Sequence, residues 1–314
     1  MTFSIVARDP ATDDLAVAVQ SKFLGVGAVV PWARAGVGAI ATQSYANVAY
    51  GPDGLALLQQ GFDAATVLAR LIEPDELRDQ RQAGIVDATG RAASHTGGDC
   101  FAWAGGRTGP DFAAQGNILA GAAVVDGLAD TFLAGGRPFP ELLVACLAAA
   151  DAAGGDRRGR ESAALLVVRE AGGYGGGNDR WIDLRVDHHD DPIGELGRLL
   201  DLQRLYYERP AITDLVAMDE ATAGEVRDIL ESISAGPGGR FASVYQPMSG
   251  IAYREIESRP VTGEPRDLPA NWDPTWQGAL DDWMAVENLE ERAAAIGWID
   301  PRVLAFLRER RGRG

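Results

Sequence analysis

The chain has 314 residues, of which 46% are hydrophobic and 24% are charged, a composition typical of a globular protein rather than a disordered one. Its formal net charge of −16 repels the phosphate backbone of nucleic acids, so nucleic acid is excluded as an expected partner. The 2 cysteines are too few for a disulfide framework or a four-cysteine zinc site.

The N-terminal sequence MTFSIVARDP lacks the basic start and the apolar stretch of a secretion signal. No uncharged apolar run approaches the length of a membrane span. We therefore expect a cytoplasmic protein that does not bind a membrane.

The motifs of common metal and nucleotide sites are missing from the sequence, including HExxH, GxGxxG and the Walker A pattern. His188 and His189 precede two aspartates, but adjacent side chains seldom converge on one ion. Pro192 favours the start of a helix there instead. We expect neither a metal nor a cofactor.

The first elements in chain order are predicted to be a hairpin. Phe3–Arg8 and Leu15–Ser21 are rich in strand-forming residues, and turn residues connect them at Asp9–Asp14. Two further apolar segments punctuated by glycine follow, at Gly27–Val30 and Val37–Gln43.

Helices and strands then follow in groups. The predicted helices are approximately Asp53–Gln60, Asp63–Ile72, Gly121–Leu133, Pro140–Ala153 and Pro192–Glu208, and the predicted strands are Gln82–Asp87, Arg91–Thr96, Ser162–Glu170 and Arg180–Asp187. Strands that occur in groups do not fit the alternation of a parallel sheet. The pattern predicts the α+β class, with two antiparallel sheets packed between helices as a four-layer αββα sandwich.

The composition changes after residue 208, and three domains are predicted: the sandwich at 1–208, a linker or irregular extension at 209–271, and a small helical domain at 272–314. Four tryptophans lie in the last segment, namely Trp272, Trp276, Trp283 and Trp298. So small a domain needs large apolar side chains, so a core role is favoured for them. A carbohydrate-stacking face is the alternative.

Thr2 is the first candidate for chemistry. A small second residue permits removal of the initiator methionine, which would leave Thr2 with a free α-amine. That amine is a built-in base for the threonine hydroxyl, so no histidine is needed. The alternative is that Thr2 is simply a residue that favours strands.

Lys22 is the only lysine among 29 Lys and Arg residues. A position that keeps lysine where arginine is the rule can require a compact ammonium or an amine with a shifted pKa. The hairpin brings the end of its second strand beside the start of its first. We therefore expect Lys22 and Ser21 to lie within reach of Thr2 and to hold the nucleophile.

Short polar segments within apolar surroundings are the remaining candidates, because buried amides and hydroxyls require partners and can bind a substrate. Asn117 or Gln43 could donate to an oxyanion, and the loop at 155–160 could bind a substrate carboxylate. The alternative is that each segment ends a strand or caps a helix, and that the loop at 155–160 is only a solvated loop. The predicted substrate-binding residues are Gln43, Ser44, Asn47, Gln115, Asp156, Arg157 and Arg160.

Several long motifs resemble a known family, and they occur in the same order. They are TFSIVARDP, AVAVQSKFLGVGAVVPWARAGVGAIATQS, YGPDGL, AAQGNILAG, GGDRRGRESAALLVVRE and DLRVD. This part, about residues 1–208, resembles the domain of unknown function 1028 family, which is assigned to the N-terminal nucleophile (Ntn) hydrolase-like superfamily. The segment DDWMAVENLEERAAAIGWIDPRVLAFLR resembles a peptidoglycan-binding segment often attached to that family.

The resemblance implies an αββα sandwich and cleavage of amide bonds by a processed N-terminal residue, which Thr2 matches. Gln20 stands where related enzymes carry an acidic residue, and the third strand lacks their lysine. Lys22 or Arg34 would then take over part of that role. Relatives with this fold often form oligomers, so the resemblance leaves two states open for this chain, a monomer and a homo-oligomer.

Two functions remain open from the sequence. The first is an amidohydrolase that cleaves a small amide or peptide through an acyl-enzyme on Thr2. The second is a binding protein without catalytic activity, whose tryptophan-rich segment binds a glycan, a muropeptide or a protein partner.

Overall fold

The computed structural model describes residues 2–242 and 262–311. The chain divides into two units, Met1–Leu200 and Asp201–Gly314. Three parts of the chain lie outside the described residues: Met1, residues 243–261 of the predicted extension, and residues 312–314 at the C-terminal end. The expected removal of Met1 therefore falls outside them. The predicted domain limits at 208 and 271 stay predictions.

The first unit contains ten strands and five helices among its described residues. In chain order the strands are β1 (Thr2–Arg8), β2 (Leu15–Ser21), β3 (Pro31–Arg34), β4 (Gly38–Ser44), β5 (Arg81–Asp87), β6 (Ala92–Thr96), β7 (Gly105–Gly109), β8 (Phe112–Asn117), β9 (Ser162–Val168) and β10 (Arg180–Val186). The helices are α1 (Tyr50–Gln59), α2 (Ala64–Ile72), α3 (Ala123–Ala134), α4 (Phe139–Ala152) and α5 (Pro192–Tyr207), the last of which ends beyond residue 200.

The strands form two antiparallel sheets. The order in the first sheet is β10-β9-β2-β1-β8-β7, and the order in the second is β3-β4-β5-β6. The N-terminal strand β1 therefore lies inside the first sheet, paired with β2 on one side and β8 on the other. The expected α+β class with antiparallel sheets is confirmed.

Three apolar clusters follow from the alternation of side chains along the strands. Phe3 and Ile5 of β1 pack with α3, α4 and α5. Val6, on the opposite face of the same strand, packs with Ala39 and Ala41 of β4. Ile40, on the other face of β4, packs with α1 and α2. Both faces of each sheet are therefore covered, which explains why these strands consist almost entirely of apolar residues.

Two elements of this unit go beyond what the sequence indicates. The apolar segment Gly27–Val30 forms one turn of 3-10 helix at Val26–Ala28, and the strand begins at Pro31. The hairpin of β7 and β8 was not predicted, because the sequences GGRTG and FAAQGN contain few β-branched or aromatic residues.

The second unit is mainly helical, as predicted for the C-terminal part. Its helices are α6 (Glu220–Ser232), α7 (Pro274–Val286) and α8 (Pro301–Arg311), and β11 (Val216–Ala217) pairs with β12 (Trp298–Ile299). Trp272 and Trp283 are buried in the core of this unit, whereas Trp276 is only partly buried.

No helix in the described ranges is both long and apolar enough to cross a bilayer.

Candidate active site

The candidate site lies where strands of both sheets end together. Thr2 begins β1 and is opposite Asn117, the last residue of β8. On the other side of β1, the register that pairs Phe3 with Gln20 puts Ser21 beside Thr2. The Oγ1 atom of Thr2 lies 3.0 Å from the Oγ atom of Ser21.

The second sheet contributes a glutamine to the same place. Gln43 of β4 accepts a hydrogen bond from the Ser4 hydroxyl at 2.7 Å, and its Nε2 atom lies 3.4 Å from the Thr2 carbonyl oxygen. Gln115 of β8 donates to the Ser4 hydroxyl at 2.7 Å. Thr2, Ser4, Ser21, Gln43, Gln82, Gln115 and Asn117 together form a polar cluster between the sheets.

Gln82 of β5 is the centre of this polar cluster. Its Oε1 atom accepts hydrogen bonds from Gln43 and from Asn117, each at 2.8 Å. Its Nε2 atom donates to the Gly116 carbonyl oxygen at 2.7 Å. All these side chains are almost fully buried, so the hydrogen bonds hold them in fixed positions.

Sequence reasoning did not identify Gln82 or Ser4. Alternate residues of a strand face the same side, so Ser4 faces the other sheet as Thr2 does, and Gln82 faces it as Gly84 does. Each is a polar residue within a buried strand. That combination was the available signal, because a buried amide or hydroxyl requires a partner.

Gln20, the position where related enzymes carry an acidic residue, lies elsewhere. It pairs with Phe3 and Ala163, whose side chains belong to the cluster that packs with the helices. Gln20 is fully buried, and neither of its amide atoms has a hydrogen-bond partner among the described residues. It therefore points away from the polar cluster.

Lys22 does not make the contact expected of it. Its Nζ atom donates to the Arg160 carbonyl oxygen at 3.0 Å and to Glu161 at 2.5 Å. Consecutive residues of an extended chain point in opposite directions, which turns Lys22 away from Ser21. The hydrogen bonds from Lys22 and from His188 hold the pKa of Glu161 below its usual value. Arg34, the other candidate, pairs with Gly38 at the opposite end of the sheet and donates to Gln59.

The loop at 155–160 borders the site through the carboxylate of Asp156 and the backbone of Arg157. The buried carboxylate of Asp156 accepts a hydrogen bond from the Lys22 backbone N–H at 2.9 Å and pairs with Arg158. The Arg157 N–H donates to the Ile118 carbonyl oxygen at 3.3 Å, directly after Asn117. Arg160 makes a bidentate pair with Asp151, so its guanidinium is already engaged.

Two predicted binding residues lie outside the polar cluster. Ser44 ends β4 in a left-handed conformation, with φ of 71°. Asn47 donates to Asp75 at 3.2 Å, and Asp75 also pairs with the buried guanidinium of Arg81. Hydrogen bonds from Arg81, and then from Tyr50, hold the pKa of Asp75 well below its usual range. Asn47 thus helps to fix the loop after β4.

A cleft of about 630 Å³ lies next to the polar cluster, lined by the ends of β6 and β7 and the loop between them. Thr96, one of its lining residues, accepts a hydrogen bond from Gln82 at 2.9 Å. Among the described residues, no group of three or more His, Cys, Asp or Glu side chains could hold a metal ion.

Thr2, Ser21, Gln43, Gln115 and Asn117 are therefore brought together by the structure. The carboxylate of Asp156 and the backbone of Arg157 lie at the border of the site. The side chains of Lys22, Ser44, Asn47 and Arg160 lie outside it. The catalytic and binding roles of all these residues stay predictions.

Comparison with known proteins agrees with the resemblance seen in the sequence. Residues 2–196 match the family described as "Family of unknown function (DUF1028)". Residues 265–307 match the family described as "Putative peptidoglycan binding domain". No curated protein matches the chain.

A crystal structure of protein SPO2555 from Silicibacter pomeroyi, described with the same family, is similar to this chain. The two are 31% identical with a TM-score of 0.60, and the match covers 65% of this chain and 86% of that one. Because the family match extends over more than half of the sequence, the chain belongs to the DUF1028 family.

Proposed function

We propose that the first unit is a four-layer αββα sandwich of the Ntn hydrolase-like type. The proposal is supported by the three apolar clusters, one between the two sheets and one between each sheet and its helices. An N-terminal strand in the middle of one sheet is a second supporting feature, because it directs Thr2 into the space between the sheets.

We further propose that the protein hydrolyses amide bonds with Thr2 as nucleophile. The observation that carries this proposal is the Thr2 hydroxyl, 3.0 Å from Ser21, at the border of a buried polar cluster that spans both sheets. The cluster consists of amides and hydroxyls, which do not titrate near neutral pH. The base must come from another group, and the α-amine of Thr2 is the nearest candidate once Met1 is removed.

The reaction then proceeds in two stages. The α-amine accepts the hydroxyl proton while the Oγ1 atom of Thr2 attacks the amide carbon, and a tetrahedral oxyanion forms. The carbon–nitrogen bond breaks, the leaving nitrogen takes the proton, and an ester on Thr2 remains. The same amine then accepts a proton from water, whose oxygen attacks the ester carbon. The bond between that carbon and Oγ1 breaks, Oγ1 takes the proton back from the amine, and the acid is released.

The neighbouring residues hold the reacting groups in position. Ser21 fixes the rotamer of Thr2 through the contact between their hydroxyls. Asn117 uses one amide hydrogen on Gln82, so its second hydrogen could bind the oxyanion. Lys22 acts through its backbone, which ties the end of β2 to Asp156.

Substitution of Thr2 tests this proposal. Release of amine from a panel of small amides and dipeptides is measured with the full-length protein, and the acyl-enzyme is trapped by acid quenching and mapped by mass spectrometry. We expect Thr2→Ala to abolish turnover, Thr2→Ser to retain part of it, and Thr12→Ala, in an exposed turn at the other end of the sheet, to leave it unchanged. Equal turnover by Thr2→Ala would contradict the proposal.

The match at residues 265–307 favours a second candidate function, binding of a peptidoglycan fragment by the second unit. Trp298 is partly buried, with Arg266 5.0 Å from its ring centre, and an aromatic ring at this position is the kind of surface on which a sugar could stack. Binding of a disaccharide muropeptide by the full chain would be measured by calorimetry. We expect Trp298→Ala to weaken it, and unchanged affinity would contradict this candidate.

A further inference from the structure

Large apolar side chains are exposed around the end of the sheets where Thr2 lies. Four of them follow β2 or β4, which contribute to the polar cluster, and the fifth is held by a backbone hydrogen bond beside the end of β8. The exposed fractions are 53% for Phe23, 66% for Leu24, 64% for Tyr45, 50% for Val48 and 73% for Phe101. We call these five residues the apolar rim.

The position of the apolar rim follows from the strand order. Phe23 comes two residues after Ser21, and Tyr45 comes two residues after Gln43. The Phe101 carbonyl oxygen accepts a hydrogen bond from the Ile118 N–H at 2.9 Å, immediately after Asn117. Each rim segment is thus attached to a strand end of the polar cluster.

A cation stands beside this rim. The Arg157 guanidinium is exposed and donates to the Ala102 carbonyl oxygen at 3.4 Å, next to Phe101. The cations around it are neutralised: Lys22 by Glu161, and Arg160 by Asp151. Among the described residues, Arg157 has no carboxylate within ion-pair distance.

These features define a ligand with two unlike ends. An exposed arginine without an acidic partner, in a chain of net charge −16, favours a carboxylate, which guanidinium groups bind in a bidentate manner. Exposed aromatic and aliphatic side chains favour an apolar group. Thr2 lies at the strand ends that carry both features, so the amide bond of such a ligand would lie between its apolar and charged parts.

We propose that the substrate is an N-acyl amino acid or a short N-acyl peptide, with its apolar acyl chain on the apolar rim and its carboxylate on Arg157. The proposal rests on the amide hydrolysis proposed above. It deepens that function by assigning specificity to residues that do not take part in the chemistry.

Binding to the full-length Thr2→Ala variant tests the proposal without turnover. The probes are N-octanoylglycine, N-acetylglycine, which lacks the long chain, and octanamide, which lacks the carboxylate. We expect N-octanoylglycine to bind at least about tenfold more tightly than either of the others in calorimetry, since each loses one of the two interactions.

Two substitutions in the same background separate the contributions. Arg157→Gln is expected to weaken N-octanoylglycine about tenfold and to leave octanamide unchanged. Tyr45→Ser is expected to weaken both octanoyl probes and to leave N-acetylglycine unchanged. Arg137→Gln, an exposed arginine at the other end of the sheets, is the matched control.

The proposal would be overturned if octanamide bound as tightly as N-octanoylglycine, or if Arg157→Gln left the affinity for N-octanoylglycine unchanged. It would also be overturned if a rim substitution dissociated an oligomer, measured by light scattering, without changing the affinity for any probe. The last result would make the rim an interface between copies. Binding of N-octanoylglycine without hydrolysis by the wild type would refute amide hydrolysis alone. Hydrolysis of short amides with no binding of N-octanoylglycine would refute the substrate class alone.

Discussion

At the scale of single residues, the polar cluster explains why amides and hydroxyls occur in strands that are otherwise apolar. Each buried polar group must recover the hydrogen bonds that it loses on leaving water. Most polar atoms of the cluster do so because Gln43 and Gln82 link β1 and β8 of one sheet to β4 and β5 of the other. The Oε1 atom of Gln115 is the exception, with no hydrogen-bond partner among the described residues. It therefore stabilises the fold and fixes the surroundings of Thr2 at the same time.

Gln82→Ala tests this dual role. The substitution removes the acceptor of both Gln43 and Asn117 and leaves buried groups unpaired, so we expect the free energy of unfolding to fall by about 3 kcal/mol. The measurement is urea unfolding at neutral pH. Gln60→Ala, at an exposed position, should change the free energy by less than about 0.5 kcal/mol. An equally small change for Gln82→Ala would show that the cluster is dispensable.

The sequence was sufficient to single out Thr2, Ser21 and Asn117, because they flank long apolar strands and belong to the motifs that resemble the family. It was misleading for Lys22. Composition identified an unusual residue, but the partner of that residue, Glu161, becomes its neighbour only when β9 is added beside β2. Long-range pairing of this kind has no local signal in one sequence.

At the scale of elements, the amphipathic helices and the β1–β2, β5–β6 and β9–β10 pairs were predictable, whereas the small-residue hairpin of β7 and β8 was not. The turn between β5 and β6 and the N-cap of α2 at Asp63 are encoded locally, and the structure contains both. After Phe112, the strand β8 consists of alanine, glycine and amides, and those that face the other sheet are Ala113, Gln115 and Asn117. Packing between the sheets, rather than strand propensity, determines its sequence.

Gly84 in β5 shows how closely the two sheets approach each other. A Cβ atom at that position would lie 2.1 Å from the Oε1 atom of Gln115. We expect Gly84→Ala to reduce the free energy of unfolding by about 2 kcal/mol, because the amide of Gln115 must move within a packed interface. Urea unfolding is again the measurement.

Gly98→Ala is the matched control, since a Cβ atom there would have no neighbour within 4 Å. When Gln115 is already replaced by Ala, we expect Gly84→Ala to reduce the free energy of unfolding by much less, because the clashing amide is gone. If Gly84→Ala lowers the free energy of unfolding equally with and without Gln115, the clash with Gln115 is not the cause of the destabilisation.

At the scale of the whole molecule, the chain combines a unit of the DUF1028 family with a region that matches a peptidoglycan-binding family. The class of fold and the helical C-terminal part were predictable because strands and helices occur in separate groups along the sequence. The positions of the site residues relative to each other required the strand order, in particular the place of β1 between β2 and β8.

The central claim is that Thr2 becomes the N-terminal residue and acts as nucleophile and base. Intact-mass spectrometry of the full-length protein, expressed in a bacterial cytoplasm, tests it most directly. We predict a mass lower than that of the complete sequence by one methionine residue, with fragmentation locating an unmodified amine on Thr2. Retention of Met1, or an acetyl group on Thr2, would leave the hydroxyl without its base and would contradict the proposed mechanism.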